Sequence, residues 1–286
     1  MLLVTGANGQ LGRAVVEHLL ERVPASQIAV SVREPARAAD LAERGVQVRR
    51  GDFADPAGLA EAFEGVERLL LISTDVVGPA RVQLHRNAVA AARQAQVGQL
   101  FYTSIVDPDP ASPFSAAADH NATEQAIRES GLRHTLLRNG LYMETLLLLS
   151  QGALASGVMA APADAPVAYA TRSDLAEAAA NLLAQGGHQD QALDLTGGEA
   201  LDLAQVGQLL GAITGRPVER QVLHDAAYRE LLAAAGMPEG GATIFLQIFA
   251  AIHQGRFATV SPALEQLLGR PPQRPTDFLR AALAGR

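Results

Sequence analysis

Near its start the chain reads Thr5-Gly6-Ala7-Asn8-Gly9-Gln10-Leu11-Gly12, with glycines at a G-x-x-G-x-x-G spacing. Leu2-Leu3-Val4 ahead of it form a short apolar strand, and Arg13 to Leu20 continue as an amphipathic helix. A strand, a tight glycine turn and a helix start place bare backbone N–H groups beside a helix N-terminus, and that arrangement attracts a phosphate. A glycine triplet alone also marks turns that bind nothing. Here it is followed by a second strand, Ile28-Ala29-Val30-Ser31-Val32, which is the context a dinucleotide site requires. The turn therefore predicts a bound dinucleotide.

Which dinucleotide is read from the end of that second strand. An NAD-specific fold presents an acid there for the ribose 2′-OH; this chain presents Arg33. A guanidinium can clamp a 2′-phosphate through paired, charge-assisted hydrogen bonds, so NADPH is favoured. Glu34 follows directly and leaves NADH open, and Arg33 can also be read as a solvated strand-end residue. Gly51-Asp52-Phe53 close the third strand, where an adenine would lie. Asp52 either accepts from the adenine amino group or caps the helix that begins near Pro56. Ser73-Thr74-Asp75 close the fourth strand, at the carboxyl edge where open α/β sheets bind ligands, and suit ribose or nicotinamide contacts.

Other chemistries are closed by what is missing. The 286 residues contain no cysteine, which removes disulfides, thiolate nucleophiles and iron–sulfur ligation. They contain no lysine either: all 23 basic residues are arginine. Schiff-base chemistry, the P-loop lysine and the Tyr-x-x-x-Lys pair of most short-chain dehydrogenases are thereby excluded. The seven histidines are scattered without ligand spacing, so no metal is expected. A net charge of −7 argues against a nucleic-acid partner. No apolar run reaches the ~20 residues of a membrane span, and no leader precedes the first strand. A cytoplasmic protein is expected, with the oligomeric state left open, a homodimer included.

The elements that position these residues alternate regularly through the first half. Strands are predicted at 2–5, 28–32, 46–50, 67–72, 99–104 and 133–138, and helices near 11–21, 35–43, 56–63, 80–96 and 116–130. Gly45, Gly65, Gly98 and Gly131 stand where helix C-caps belong. The fold class is α/β, a doubly wound parallel sheet (Rossmann) with a smaller, interleaved C-terminal α/β substrate domain. Residues 1–150 form the dinucleotide-binding domain. Residues 151–286 are mainly the substrate domain, with about 172–196 returning to the main sheet. In that half, Val167 to Ala170 reads as a strand, and Ser173 or Asp174 as the cap of an alanine-rich helix. Ala192 to Thr196 and Val218 to Val222 read as strands, and 224–235, 242–253 and 275–284 as helices.

Taken together, Thr5 to Gly12, Val32-Arg33, Leu69 to Ser73, His85-Arg86-Asn87, Leu136 to Gly140 and Thr171 to Asp174 resemble the NmrA-like atypical short-chain reductases. Within them the chain is most similar to the type 2 NAD(P)H:quinone oxidoreductases, over essentially its whole length. The resemblance implies that Gly6 to Leu11 hold the pyrophosphate, Arg33 the 2′-phosphate, and Ser73 to Asp75 the ribose side. Leu137, Arg138, Asn139, Gly140, Leu141 and Tyr142, with Arg172, would surround the nicotinamide. The usual Tyr-x-x-x-Lys site reads His120-Asn121-Ala122-Thr123-Glu124, and the lysine associated with this group just beyond is Gln125.

A ketone that accepts hydride becomes a strongly basic alkoxide and needs a tuned acid. A quinone becomes a far less basic hydroquinone anion, so position can suffice, with water or His120 supplying the proton. His120 and Tyr142 are the candidate catalytic residues; His120 reads equally as an ordinary helix-start residue, and Glu124 as structural. Phe114, Tyr142, Met143, Tyr169, Phe245 and Phe249 are candidates for an apolar substrate wall. The leading expectation is NADPH-dependent two-electron quinone reduction. The alternatives are a non-catalytic NADP(H)-binding redox sensor and a reductase of another conjugated acceptor such as a dye.

Overall fold

The computed structural model describes residues 1–284. Its centre is a seven-stranded sheet built from β1 (Leu2–Thr5), β2 (Ile28–Val32), β3 (Gln47–Arg50), β4 (Arg68–Leu71), β5 (Gln99–Ile105), β6 (His134–Asn139) and β8 (Gln191–Leu195). The strand order is β3-β2-β1-β4-β5-β6-β8 and each neighbouring pair is parallel. The order reverses direction between β1 and β4, the point at which such sheets open a crevice. A separate parallel pair joins β7 (Val158–Ala161) to β9 (Glu219–Val222).

The near-continuous apolar strands are explained by helices on both faces. Leu2 and Val4 of β1 belong to one core and Leu3 to the other, with β2 and β4 alternating in the same way. One face is covered by α1 (Gln10–Leu20), α7 (Arg172–Gln185) and α11 (Ala263–Leu268). The other carries α3 (Pro56–Ala62), α4 (Pro79–Gln94) and α5 (Ser115–Glu129), with α2 (Ala39–Glu43) beside β3 at the sheet's edge. A third core gathers α6 (Met143–Ser156), α8 (Leu203–Thr214), α9 (Asp225–Ala234), α10 (Glu239–His253) and α12 (Pro275–Ala284) around the small sheet.

Several local readings are corrected. Val167 to Ala170 is no strand: it makes only isolated bridges, Val167 to Leu201 and Ala170 to Tyr142. Thr171, not Ser173 or Asp174, caps α7, accepting from the Asp174 N–H at 3.1 Å. Asp55 rather than Asp52 caps α3, accepting from the Gly58 N–H at 3.1 Å. Gly45, Gly65 and Gly131 adopt positive φ, but at the end of α4 that role falls to Gln96, with φ of 55°. Gly98 is small for another reason, since a Cβ there would lie 2.7 Å from the Glu67 carbonyl oxygen. The elements β7, α8 and α11 were not anticipated, although α8 opens on an Asp202–Gln205 capping box and closes on a left-handed Gly215, and α11 closes on a left-handed Gly269.

Candidate active site

The glycine turn is tight because its glycines pack on one another. Gly6 has φ of +66°, and a Cβ on Gly12 would lie 2.4 Å from the Gly6 carbonyl oxygen. Gly9 donates to Gly6 O at 2.9 Å, and α1 starts at Gln10 with no side chain capping it and no acid in its first turn. The first N–H groups of α1 are thus left to an anion. Ala7 and Leu11 are buried side chains that serve the turn through their backbone.

From this turn a groove of about 360 Å³ runs along the carboxyl edge of the sheet. Of the expected cofactor residues it brings together Gly6, Asn8, Gly9, Arg33, Asp52, Phe53, Ser73, Thr74 and Asp75. Asn8 Oδ1 and Ser31 Oγ are buried on its walls without a hydrogen-bond partner, and such atoms suit a polar ligand. Arg33 makes no ion pair or hydrogen bond among the described residues, while Arg37 pairs with Glu34 at 3.3 Å on the same wall. Arg37 escaped the sequence reading because it lies in a 3₁₀ turn after β2, where no strand-end rule points. Asp52 accepts from the Ala54 N–H at 3.0 Å, which orders its loop and leaves its carboxylate on the groove.

The segment after β4 is held by side chains of α4 and α5. The Thr74 N–H donates to His85 Nε2 at 3.1 Å, and Arg81 donates to the carbonyls of Val76 and Thr74 at 2.5 and 3.0 Å. Asp119 Oδ2 accepts from the Gly78 N–H at 2.7 Å. His85 is completely buried, with its Nδ1 3.0 Å from Thr123 Oγ1 and 3.4 Å from the Tyr102 hydroxyl. That hydroxyl is 2.8 Å from His120 Nδ1. Burial, with Arg81 nearby, lowers both His85 and His120 to a pKa of about 3. Burial likewise pushes the Tyr102 hydroxyl up. The sequence placed His120 here, but Tyr102 read as one more apolar strand residue.

Glu124, one helical turn after His120, lies beside this cluster but is engaged by other partners. Its carboxylate accepts from Ser104 Oγ at 2.7 Å, from Arg138 at 2.9 and 2.7 Å, and from Arg128 at 2.9 Å. Burial alone would raise its pKa, but these donors hold it below the usual value. The Arg138 side chain is therefore committed to Glu124, and Leu137 lies in the core, so both meet a ligand only through backbone.

Farther along the edge, Arg172 stacks over the Tyr142 ring at 4.8 Å and its N–H donates to Glu144 Oε1 at 3.1 Å. A Cβ on Gly140 would lie 3.1 Å from the Ala168 carbonyl oxygen, so the strand end sits close against the second layer. Asn139 is buried and Leu141 half-buried beside them. Of the candidate substrate wall, Met143, Tyr169 and Phe249 are core; only Phe114, Tyr142 and Phe245 keep exposed surface. Among the described residues no group of His, Asp or Glu is placed to hold a metal, and no helix is long and apolar enough to cross a membrane.

Comparison with known proteins follows the same outline. A family profile described as NAD(P)H-binding matches residues 6–186. The quinone oxidoreductase 2 of Escherichia coli K12 is 40% identical over 95% of this chain and 94% of its own. Its crystal structure with NADPH superposes with a TM-score of 0.94 over 99% of this chain and 100% of that one. The triphenylmethane reductase of Citrobacter sp., solved with NADP(H), gives 0.93 at 36% identity over the same shares. An NmrA-like oxidoreductase of Aspergillus flavus is 31% identical over 98% of this chain and 94% of its own. The uncapped helix start and the unpaired polar atoms of the groove fit the cofactor these comparisons indicate, and the chain belongs to the NAD(P)H-binding, NmrA-like family of oxidoreductases.

Proposed function

We propose that this protein is an NADPH-dependent quinone reductase, acting by direct two-electron transfer. The observation that carries the reading is the state of the acceptor edge, where a lysine-free chain offers only the neutral, buried imidazole of His120 near the position of the usual acid. A ketone would be poorly served by it; a quinone, whose reduced anion is weakly basic, needs little more. Likeness to the E. coli quinone oxidoreductase over nearly the whole length supports the same reading.

In this reading the α1 N-terminus and Gly6 to Gly12 hold the pyrophosphate, and Arg33 holds the 2′-phosphate with Arg37 as second cation. Asp52 and Phe53 flank the adenine, and Ser73 to Asp75 the ribose. Residues 137–142 and Arg172 confine the nicotinamide. When bound, NADPH supplies the hydride. His120 faces the acceptor, the proton completing the hydroquinone comes from water, and Phe114, Tyr142 and Phe245 exclude solvent. Residues 1–150 act as the cofactor unit and 151–286 mainly as the substrate unit, apart from about 172–196 and α11, which pack on the cofactor half.

The test is NADPH oxidation followed against benzoquinones, triphenylmethane dyes and aldehydes, with NADH as control. Turnover with quinones and none with aldehydes is expected. Bound NADPH without quinone-dependent turnover would instead favour a redox sensor. The Citrobacter relative favours one second reading, reduction of a dye cation, which the same panel separates.

A further inference from the structure

We propose that Thr74, His85 and Tyr102 act together as positioning residues that fix His120 as a neutral imidazole with its single N–H on Nε2, so that it gives the acceptor oxygen a hydrogen bond and not its proton. The inference deepens the function proposed above and rests on it only for the identity of the acceptor.

The argument is a count of protons along one chain of contacts. The Thr74 N–H is a fixed donor, and it meets His85 Nε2 at 3.1 Å, so that nitrogen must be the acceptor. A neutral His85 then carries its proton on Nδ1. Its partner there, Thr123 Oγ1 at 3.0 Å, spends its own proton on the Asp119 carbonyl at 2.9 Å and is free to accept. The His85 N–H also faces the Tyr102 oxygen at 3.4 Å, so Tyr102 already has a donor on one side. Its hydroxyl proton takes the short 2.8 Å contact to His120 Nδ1. That makes Nδ1 the acceptor and leaves the His120 proton on Nε2. Nε2 has no partner among the described residues, yet it is not among the sealed, unpaired polar atoms.

The surroundings keep the ring uncharged. Arg81 is the cation beside both imidazoles, paired among the described residues with Asp119 at 4.0 Å; Glu124 is turned onto Arg138. The rings lie edge-on or tilted, with His85 to Tyr102 at 5.5 Å and Tyr102 to His120 at 5.8 Å between centroids, which restricts their rotation. A backbone amide of the loop that lines the groove thus sets, through two side chains, which nitrogen of His120 carries hydrogen.

The experiment is ¹⁵N-resolved NMR of the histidine rings in the full chain, without substrate. At pH 7 the expected spectrum has His120 as the Nε2–H tautomer and His85 as Nδ1–H, both still neutral at pH 5. A His120 protonated on Nδ1, or charged at pH 7, overturns the proposal. In Tyr102→Phe, which keeps the ring volume, His120 should lose its single tautomer and quinone turnover should fall about tenfold in kcat, the scale of one neutral hydrogen bond. The KM for NADPH should stay unchanged. An unaltered His120 tautomer in that variant also overturns it. Because the wild-type tautomer is read without any acceptor, a failure of quinone reduction leaves a distinct signature.

Discussion

At the residue scale, Arg33 is the residue we propose sets the cofactor preference. Its guanidinium is unpaired on the groove wall, so a 2′-phosphate meets a cation free to receive it. Arg33→Ser should raise the Kd for NADPH by about tenfold to a hundredfold, the loss of one or two charge-assisted hydrogen bonds, while NADH changes little. Equal losses for both cofactors would refute that role. The buried histidines give a second prediction, with a definite sign. His85 and His120 have folded pKa values of about 3, below the unfolded 6.5. Their contribution is whole above pH 6.5 and is lost as pH falls toward 3, by about 1.4 kcal/mol per unit for each ring. Urea unfolding at pH 7 and pH 5 should show the drop, and His85→Asn should lessen it. Arg33 was legible in the sequence because strand ends follow a rule. Tyr102 was not, since its partners lie 17 and 18 residues away on different helices and only packing joins them.

Elements set these residues in place, and the glycine turn does so with no side chain to spare. A methyl on Gly12 would meet the Gly6 carbonyl at 2.4 Å, so Gly12→Ala must open the turn or tilt α1. It should weaken NADPH binding at least about tenfold and lower the melting temperature, whereas Gly240→Ala, in open space on α10, should do neither. On α5 two residues one turn apart serve different ends: His120 meets Tyr102, while Glu124 braces β5 to β6 through Ser104 and Arg138. Glu124→Gln should cost roughly 2–3 kcal/mol in urea unfolding, by leaving Arg138 half-buried without its anion. The strand and helix series of the first half was legible because glycine punctuation and apolar runs coincide there. Val167 to Ala170 was misread because an apolar stretch can pack as an extended connector, bonding by isolated bridges, without any neighbouring strand.

At the scale of the whole molecule, the C-terminal tail is tied back to the cofactor half. Arg270 pairs with Asp174 at 2.8 Å and Glu177 at 2.5 Å, Asp174 accepts from the Gln273 N–H at 2.8 Å, and Glu177 reaches Arg22 of the loop after α1 at 3.2 Å. Asp174→Ala should make the stretch from Gly269 to Pro275 open to limited proteolysis without lowering NADPH affinity. No sequence pattern showed this clasp, because each of its ion pairs joins segments far apart in the chain. The sheet itself has a comparable consequence. The chain leaves it after β6, lays down β7, returns as α7 and β8, departs again for α8 to α10, and comes back once more as α11. No single cut can divide such a path into two self-sufficient pieces. A fragment ending at residue 150 would lack the helix that lies along α1 and the sheet's last strand. Heating should then give one calorimetric transition for the entire chain, and a nucleotide bound at the first turn should delay the melting of residues that it never touches.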